Sequence, residues 1–243
     1  MAPLQAGSNR DGQIAMPLPS AIRDMLDRST LIIASNRGPI EFHQTSDGDI
    51  VSKRGTGGVI TAMSAAARYA EAVWVACAIT STDRLLAEQM RQHREPFIDH
   101  PDLEGFRLRF VLPDPEAYRG YYNRIANPLL WFLQHYLWDT PRAPDIDYET
   151  WQAWHHGYVV VNRLFAEEIV AAADVAPREP IVLLQDYHLY LTPTFIREQR
   201  PDLLLYHFIH IPWPDQDYWR LLPIEMRRAI CEGLLANDIV GFQ

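Results

Sequence analysis

No stretch of this sequence stays apolar for the roughly 18 residues that a membrane-spanning helix needs, and no basic-then-apolar segment precedes a small-residue cleavage site. Both absences point to a soluble, cytoplasmic protein. Cysteine is scarce. Cys77 and Cys231 are the only two, far apart and each inside an apolar pattern, which suits core thiols in a reducing compartment rather than a disulfide framework. Basic residues are outnumbered, 22 Lys and Arg against 31 Asp and Glu, for a net charge of −9. An acidic surface repels nucleic acid and anionic membranes, so neither is expected as a partner. Metal signatures are missing too: there is no HExxH and no clustered CxxC, and His207 and His210 fall on opposite faces of an expected strand, so no metal is expected. What remains is 243 residues of globular composition, with 7 Trp, 11 Tyr and 9 Phe, enough chain to bury a proper core.

The informative stretch is Ile181 to Pro214. Two short apolar runs, Ile181–Leu184 and Leu203–Ile209, read as buried parallel strands, and Pro193–Gln199 reads as the helix that crosses between them. In an open parallel sheet the carboxyl ends of the strands face the ligand crevice. Asp186 and His188 stand just past the first run and His210 past the second, so one βαβ unit delivers a carboxylate and two imidazoles to the same edge.

The remaining chain extends this pattern. Residues 1–28 are expected as a leader, flexible at first and with a short helix over Ser20–Asp27, and 29–243 as one domain. Leu31–Ala34 is a strand running into the turn-forming Ser35-Asn36-Arg37-Gly38-Pro39, which puts Arg37 at a strand's carboxyl end. Ile40–Lys53 reads as a hairpin or mobile loop. Arg54-Gly55-Thr56-Gly57-Gly58 precedes a helical pattern. Backbone without Cβ atoms at a helix start can cradle an anion such as a diphosphate, so Gly57 and Gly58 are phosphate candidates; a tight turn is the alternative. Strands follow at Val73–Ile79 and Phe106–Leu112, with a polar helix at Asp83–His93 between them. Tyr118–Trp138 is aromatic-rich and largely helical in register, which fits either core packing or rings that stack on sugars. Trp151–Ala173 is a long amphipathic helix. Leu222, Met226, Ile230 and Leu234 form a buried stripe, and a further strand begins at Asp238.

SNRGP at Ser35–Pro39, GTGG at Gly55–Gly58, YYNRIANPLLW at Tyr121–Trp131, QDYHL at Gln185–Leu189, HIPWP at His210–Pro214 and VGFQ at Val240–Gln243 together resemble the trehalose-6-phosphate synthases. These are retaining glycosyltransferases built from two Rossmann-like domains with the active site between them, the GT-B architecture. The resemblance implies an α/β fold, a Rossmann-like parallel sheet flanked by helices, and covers only the amino-terminal, acceptor-side domain. The nucleotide-sugar domain is absent from this sequence, so the chain is expected to be an inactive fragment of a longer protein, itself compatible with a homo-oligomer.

The implied reaction is transfer of glucose from a nucleotide-glucose, UDP- or GDP-glucose, to glucose-6-phosphate with retention, giving trehalose-6-phosphate without any cofactor. Arg37 matches a phosphate-binding arginine, Tyr122 an aromatic on the sugar phosphate, Trp131 one on the sugar ring, and Asp186 the carboxylate on acceptor hydroxyls. Gly57 and Gly58 match the donor-phosphate glycines, and His210 the histidine beside the donor sugar. Asp186 and His210 are the implied catalytic pair. One departure stands out: the family carries a Trp just after its second strand, where this sequence has Trp74-Val75-Ala76-Cys77-Ala78 and no Trp in that place. Glycerol-3-phosphate or a cyclitol phosphate is therefore the alternative acceptor, and a non-catalytic sugar-phosphate-binding module the alternative of another class.

Overall fold

The computed structural model describes residues 19–55, 60, 63, 70–103, 105–138 and 145–243. In chain order its strands are β1 (Ser29–Ser35), β2 (Ile40–Gln44), β3 (Ile50–Arg54), β4 (Glu71–Cys77), β5 (Phe106–Val111), β6 (Glu179–Gln185), β7 (Leu204–Ile209) and β8 (Ile239–Phe242). Six of them form one sheet in the order β5-β4-β1-β6-β7-β8, every neighbouring pair parallel. β2 and β3 pair antiparallel as a separate hairpin, which settles the hairpin-or-loop alternative for this segment.

The near-continuous apolar runs follow from burial on both faces. All seven residues of β1 are buried, with Ile32 and Ala34 in one core cluster and Leu31 and Ile33 in the other. On the first face pack helices α6 (Val159–Asp174), through Val161, Phe165 and Ile169, α7 (Thr192–Gln199), through Phe195 and Ile196, and α8 (Ile224–Leu235), through Met226, Ile230 and Leu234. On the second lie Leu26 of α1 (Ser20–Arg28), Ala87 of α2 (Ser81–His93) and Phe42 of the hairpin. Ser20–Arg28 is thus a packed helix within the expected 1–28 leader, and residues 1–18 of that leader lie outside the described residues.

Asp83 ties the hairpin to the sheet. Its Oδ1 accepts from Phe42 N at 2.8 Å and its Oδ2 from Thr80 N at 2.9 Å, while Thr80 Oγ1 donates to Phe42 O at 2.6 Å and accepts from Asp83 N at 2.9 Å. One capping box therefore starts α2 and pairs with a strand edge at the same time.

Two segments depart from the plain α-helix expected. Between α3 (Pro115–Arg119) and α4 (Phe132–Gln134), residues Gly120–Trp131 wind as a π-helix, and so do Trp154–Tyr158 between α5 (Tyr148–Ala153) and α6. The two cross backbone to backbone: a Cβ added to Gly157 would stand 2.6 Å from Tyr121 N, and one on Gly120 would stand 3.3 Å from Ala153 Cα. Pro128, inside the first segment, has no N–H to give to an α-type bond. Cysteine also divides. Both thiols are free, but only Cys77 is a core residue; Cys231 is exposed, because it lies on α8 outside the Met226, Ile230 and Leu234 stripe.

Candidate active site

Strand order reverses at β1, whose two neighbours are β4 and β6. Chain leaving the carboxyl ends of β1 and β6 departs in opposite directions and opens a crevice, the usual ligand position in such sheets. β1 runs out into Asn36 and Arg37, β6 into Asp186 and β7 into His210. Because these strands are parallel, the three side chains expected from sequence come to one rim.

Asp186 is the most constrained of them. Its backbone has φ 70 and ψ 176, a left-handed extended region that is essentially reserved for glycine and costs a residue with a Cβ on the order of 1–3 kcal/mol. The conformation is held from several sides: Asp186 N donates to Phe208 O at 2.7 Å, His207 Nε2 donates to Asp186 O at 2.9 Å, and Oδ1 accepts from Tyr187 N at 3.1 Å and His210 N at 3.3 Å. Burial raises the carboxyl pKa to about 6, against the pull of the Tyr187, His210 and Ile211 amides and of His135. The group is an acceptor of hydrogen bonds poised near neutrality.

His210 is neutral. Burial lowers its pKa, and Nε2 lies 2.8 Å from Gln185 Oε1, a carboxamide oxygen that can only accept. Nε2 therefore carries the proton and Nδ1 is left as an acceptor. On the β1 side Arg37 is exposed and bonds Glu41 at 3.2 Å. Burial lowers its pKa, but the Tyr122 phenol and the Glu41 carboxylate outweigh that, so the guanidinium is held above its ordinary value.

Tyr122 is the middle ring of a stack, parallel to Tyr118 (5.7 Å, 10°) and to His188 (5.9 Å, 13°). Burial, with a smaller push from the positive charge of Arg37, takes the His188 pKa down to about 3, and Tyr122 bonds the same guanidinium, so the stack lies beside it. Trp131 approaches from the far end of the same π-helix. Its ring lies 4.1 Å from that of His135, the imidazole that opposes the rise in the Asp186 pKa. Arg37 and Tyr122 thus form one end of the rim, and Asp186, His210, His135 and Trp131 the other. Gly57 and Gly58 lie outside the described residues.

Several residues that build this rim carry no sequence signal that marks them. Asn162, on α6, is fully buried: its Nδ2 donates to Tyr158 O and His188 O, and its Oδ1 accepts from Leu191 N and Thr192 N, so one amide staples the loop that follows Asp186. Tyr187 donates to Asn127 Oδ1 at 2.9 Å, joining that loop to the π-helix. Gln185 was visible only as the first letter of QDYHL. A separate cleft of about 800 Å³, lined by residues including Arg119, Arg124, Glu149 and His156, contains none of the expected site residues. Arg124 there is already taken by Asp147 and Glu149.

The family model described as Glycosyltransferase family 20 matches residues 29–243. The chain belongs to glycosyltransferase family 20. This family 20 chain is 35% identical over 214 residues to the trehalose-6-phosphate synthase of Mycobacterium avium (strain 104), covering 88% of this chain and 39% of that protein. It is 30% identical over 215 residues to the validamine 7-phosphate valienyltransferase of Streptomyces hygroscopicus subsp. jinggangensis (strain 5008), covering 88% and 42%. Among solved structures, an α,α-trehalose-phosphate synthase (UDP-forming) from Burkholderia xenovorans in complex with glucose-6-phosphate shares the fold with a TM-score of 0.62 at 20% identity, over 88% of this chain and 40% of that one. The family 20 chain therefore spans about two fifths of the length of the relatives it matches. Its parallel sheet is one Rossmann-like half of the GT-B architecture.

Proposed function

We propose that the chain is the acceptor-side half of a retaining glycosyltransferase that moves glucose from a nucleotide-glucose, UDP- or GDP-glucose, onto glucose-6-phosphate to form trehalose-6-phosphate. One observation carries the reading: in a family 20 chain, a cation, a stacked phenol, a carboxylate and a neutral imidazole share the rim at the reversal of strand order. Arg37 and the Tyr122 hydroxyl take the acceptor's phosphate, since a guanidinium fork matches such oxygens. Trp131 packs on the sugar ring and Asp186 receives its hydroxyls. His210 faces the donor sugar, where its free Nδ1 accepts a hydrogen bond from a hydroxyl, and Gly57 and Gly58 present amides to the donor diphosphate.

In this mechanism the acceptor hydroxyl attacks from the side the diphosphate leaves. The acceptor oxygen–anomeric carbon bond forms as the anomeric carbon–diphosphate oxygen bond breaks, and the leaving oxygen takes the proton. The chain's own groups position the partners and hold charge. Identity of 30% to a valienyltransferase acting on validamine 7-phosphate favours a second reading, a cyclitol phosphate as acceptor.

Calorimetric titration of the chain with glucose-6-phosphate and with validamine 7-phosphate separates the two. The expected result is binding of glucose-6-phosphate that weakens by a hundredfold or so in Arg37→Ala, as loss of a charge-assisted pair implies. Unchanged glucose transfer by the full-length protein carrying both Arg37→Ala and Asp186→Ala would remove the assignment.

A further inference from the structure

Strand alternation puts position 207 on the same buried face as Leu205 and Ile209, where an apolar side chain is the ordinary choice. The residue is instead a fully buried histidine whose Nδ1 has no hydrogen-bond partner among the described residues. Among the described residues its one hydrogen bond is Nε2 to Asp186 O at 2.9 Å; a carbonyl only accepts, so Nε2 holds the ring's proton. Burial keeps the ring neutral, with its pKa lowered to about 4.

The other bonds that hold Asp186 in its left-handed conformation come from the main chain of Tyr187, Phe208 and His210 and from Leu189 N, which donates to the same carbonyl at a longer 3.3 Å, and any residue there would supply them. The His207 bond is the one that depends on a neighbour's side chain. Turning Asp186 to an ordinary negative φ would swing its carbonyl away from Nε2 and strand both ring nitrogens in the core. An unpaired donor in a dry site is costly, so the imidazole penalises the relaxed backbone more than it favours the strained one.

We propose that His207 is a positioning residue that locks Asp186 in the left-handed backbone conformation aiming its carboxylate into the crevice; the proposal rests on reading Asp186 as the acceptor-binding carboxylate. The test uses the full-length protein, glucose-6-phosphate as probe, and three substitutions. His207→Gln keeps an N–H donor where Nε2 lies. His207→Met keeps the volume without the donor, and His207→Asn has an amide too short to reach.

His207→Met and His207→Asn are expected to raise the glucose-6-phosphate KM roughly tenfold or more while the donor KM stays within about twofold, and His207→Gln to restore the wild-type value to within about threefold. In an Asp186→Ala background the His207→Met effect should vanish, since the two act as one unit. Crystals of either donor-less variant should show Asp186 at negative φ. A wild-type KM in a folded donor-less variant, failure of His207→Gln to rescue, or an Asp186 that keeps positive φ without the donor overturns the proposal. If Asp186→Ala alone leaves the acceptor KM unchanged, the reading of the site has failed instead, and the φ of Asp186 in His207→Met then decides the role of His207 by itself.

Discussion

Ionising Asp186 works against the fold. Its pKa is about 6 in the folded chain and near the ordinary 3.8 when burial is lost. Between those values the folded state binds a proton that the unfolded state does not, so the contribution of this group to stability is greatest below about pH 4, falls as pH rises through about 6, and stays lower beyond. A two-unit rise corresponds to a few kcal/mol, on the order of 3. Asp186→Asn is therefore expected to be more stable than wild type by about 1–3 kcal/mol in urea denaturation at pH 7.5, with the gain gone near pH 4. An unfolding midpoint at pH 7.5 equal to or below that of wild type would contradict this account. The position of the residue was legible: an apolar run stopping at Leu184 puts residue 186 at the sheet edge. Its dihedral was not, because a left-handed aspartate is imposed by Phe208, His210 and His207, twenty residues on, and leaves no local mark.

Among the elements, the π-helices show where periodicity misleads. Aromatic residues from Tyr121 to Trp138 fit a helical register, but a winding of i to i+5 is set by the crossing at Gly120 and Gly157, and neither glycine looks special in the sequence. Gly157→Ala would force a methyl to 2.6 Å from Tyr121 N, against backbone rather than a flexible side-chain tip. The expected cost is about 2–4 kcal/mol by chemical denaturation, together with weaker glucose-6-phosphate binding, because Tyr122 is the next residue along. A midpoint within experimental error of wild type would show that the crossing can slide. The hairpin makes a parallel case. The turn-forming Asp47-Gly48-Asp49 at its centre is compatible with a hairpin or a mobile loop alike, and its anchorage at Asp83 depends on two elements meeting in space. Asp83→Ala should speed amide hydrogen exchange at Phe42 by about tenfold or more while β1 and β6 keep their protection; equal loss in all three strands would refute a local clamp.

For the molecule as a whole, the class of fold was readable because doubly covered parallel strands announce themselves as apolar runs: Leu31–Ala34 and Ile181–Leu184 lie wholly in sheet, whereas the strand expected over Val73–Ile79 stops at Cys77 and the one expected over Leu203–Ile209 starts at Leu204. Which strand lies beside which was not written in any of them. That order leaves β1, the first of the described strands, in the middle, paired with β4 and also with β6, whose partner residues lie about 150 positions later. Contacts so distant in sequence slow folding, and refolding from urea followed by stopped-flow Trp fluorescence should have a main phase of seconds or longer. Full recovery within a millisecond would mean the sheet does not assemble in this way.

During synthesis the same arrangement has a temporal side. At roughly 5–20 residues per second, β1 waits about 8–30 seconds on the ribosome before the strand that will cover its second edge has been made. For that interval β1, with Leu31, Ile32 and Ile33, offers an open, apolar edge to any other nascent chain nearby, an exposure that a shielding factor acting during translation would remove.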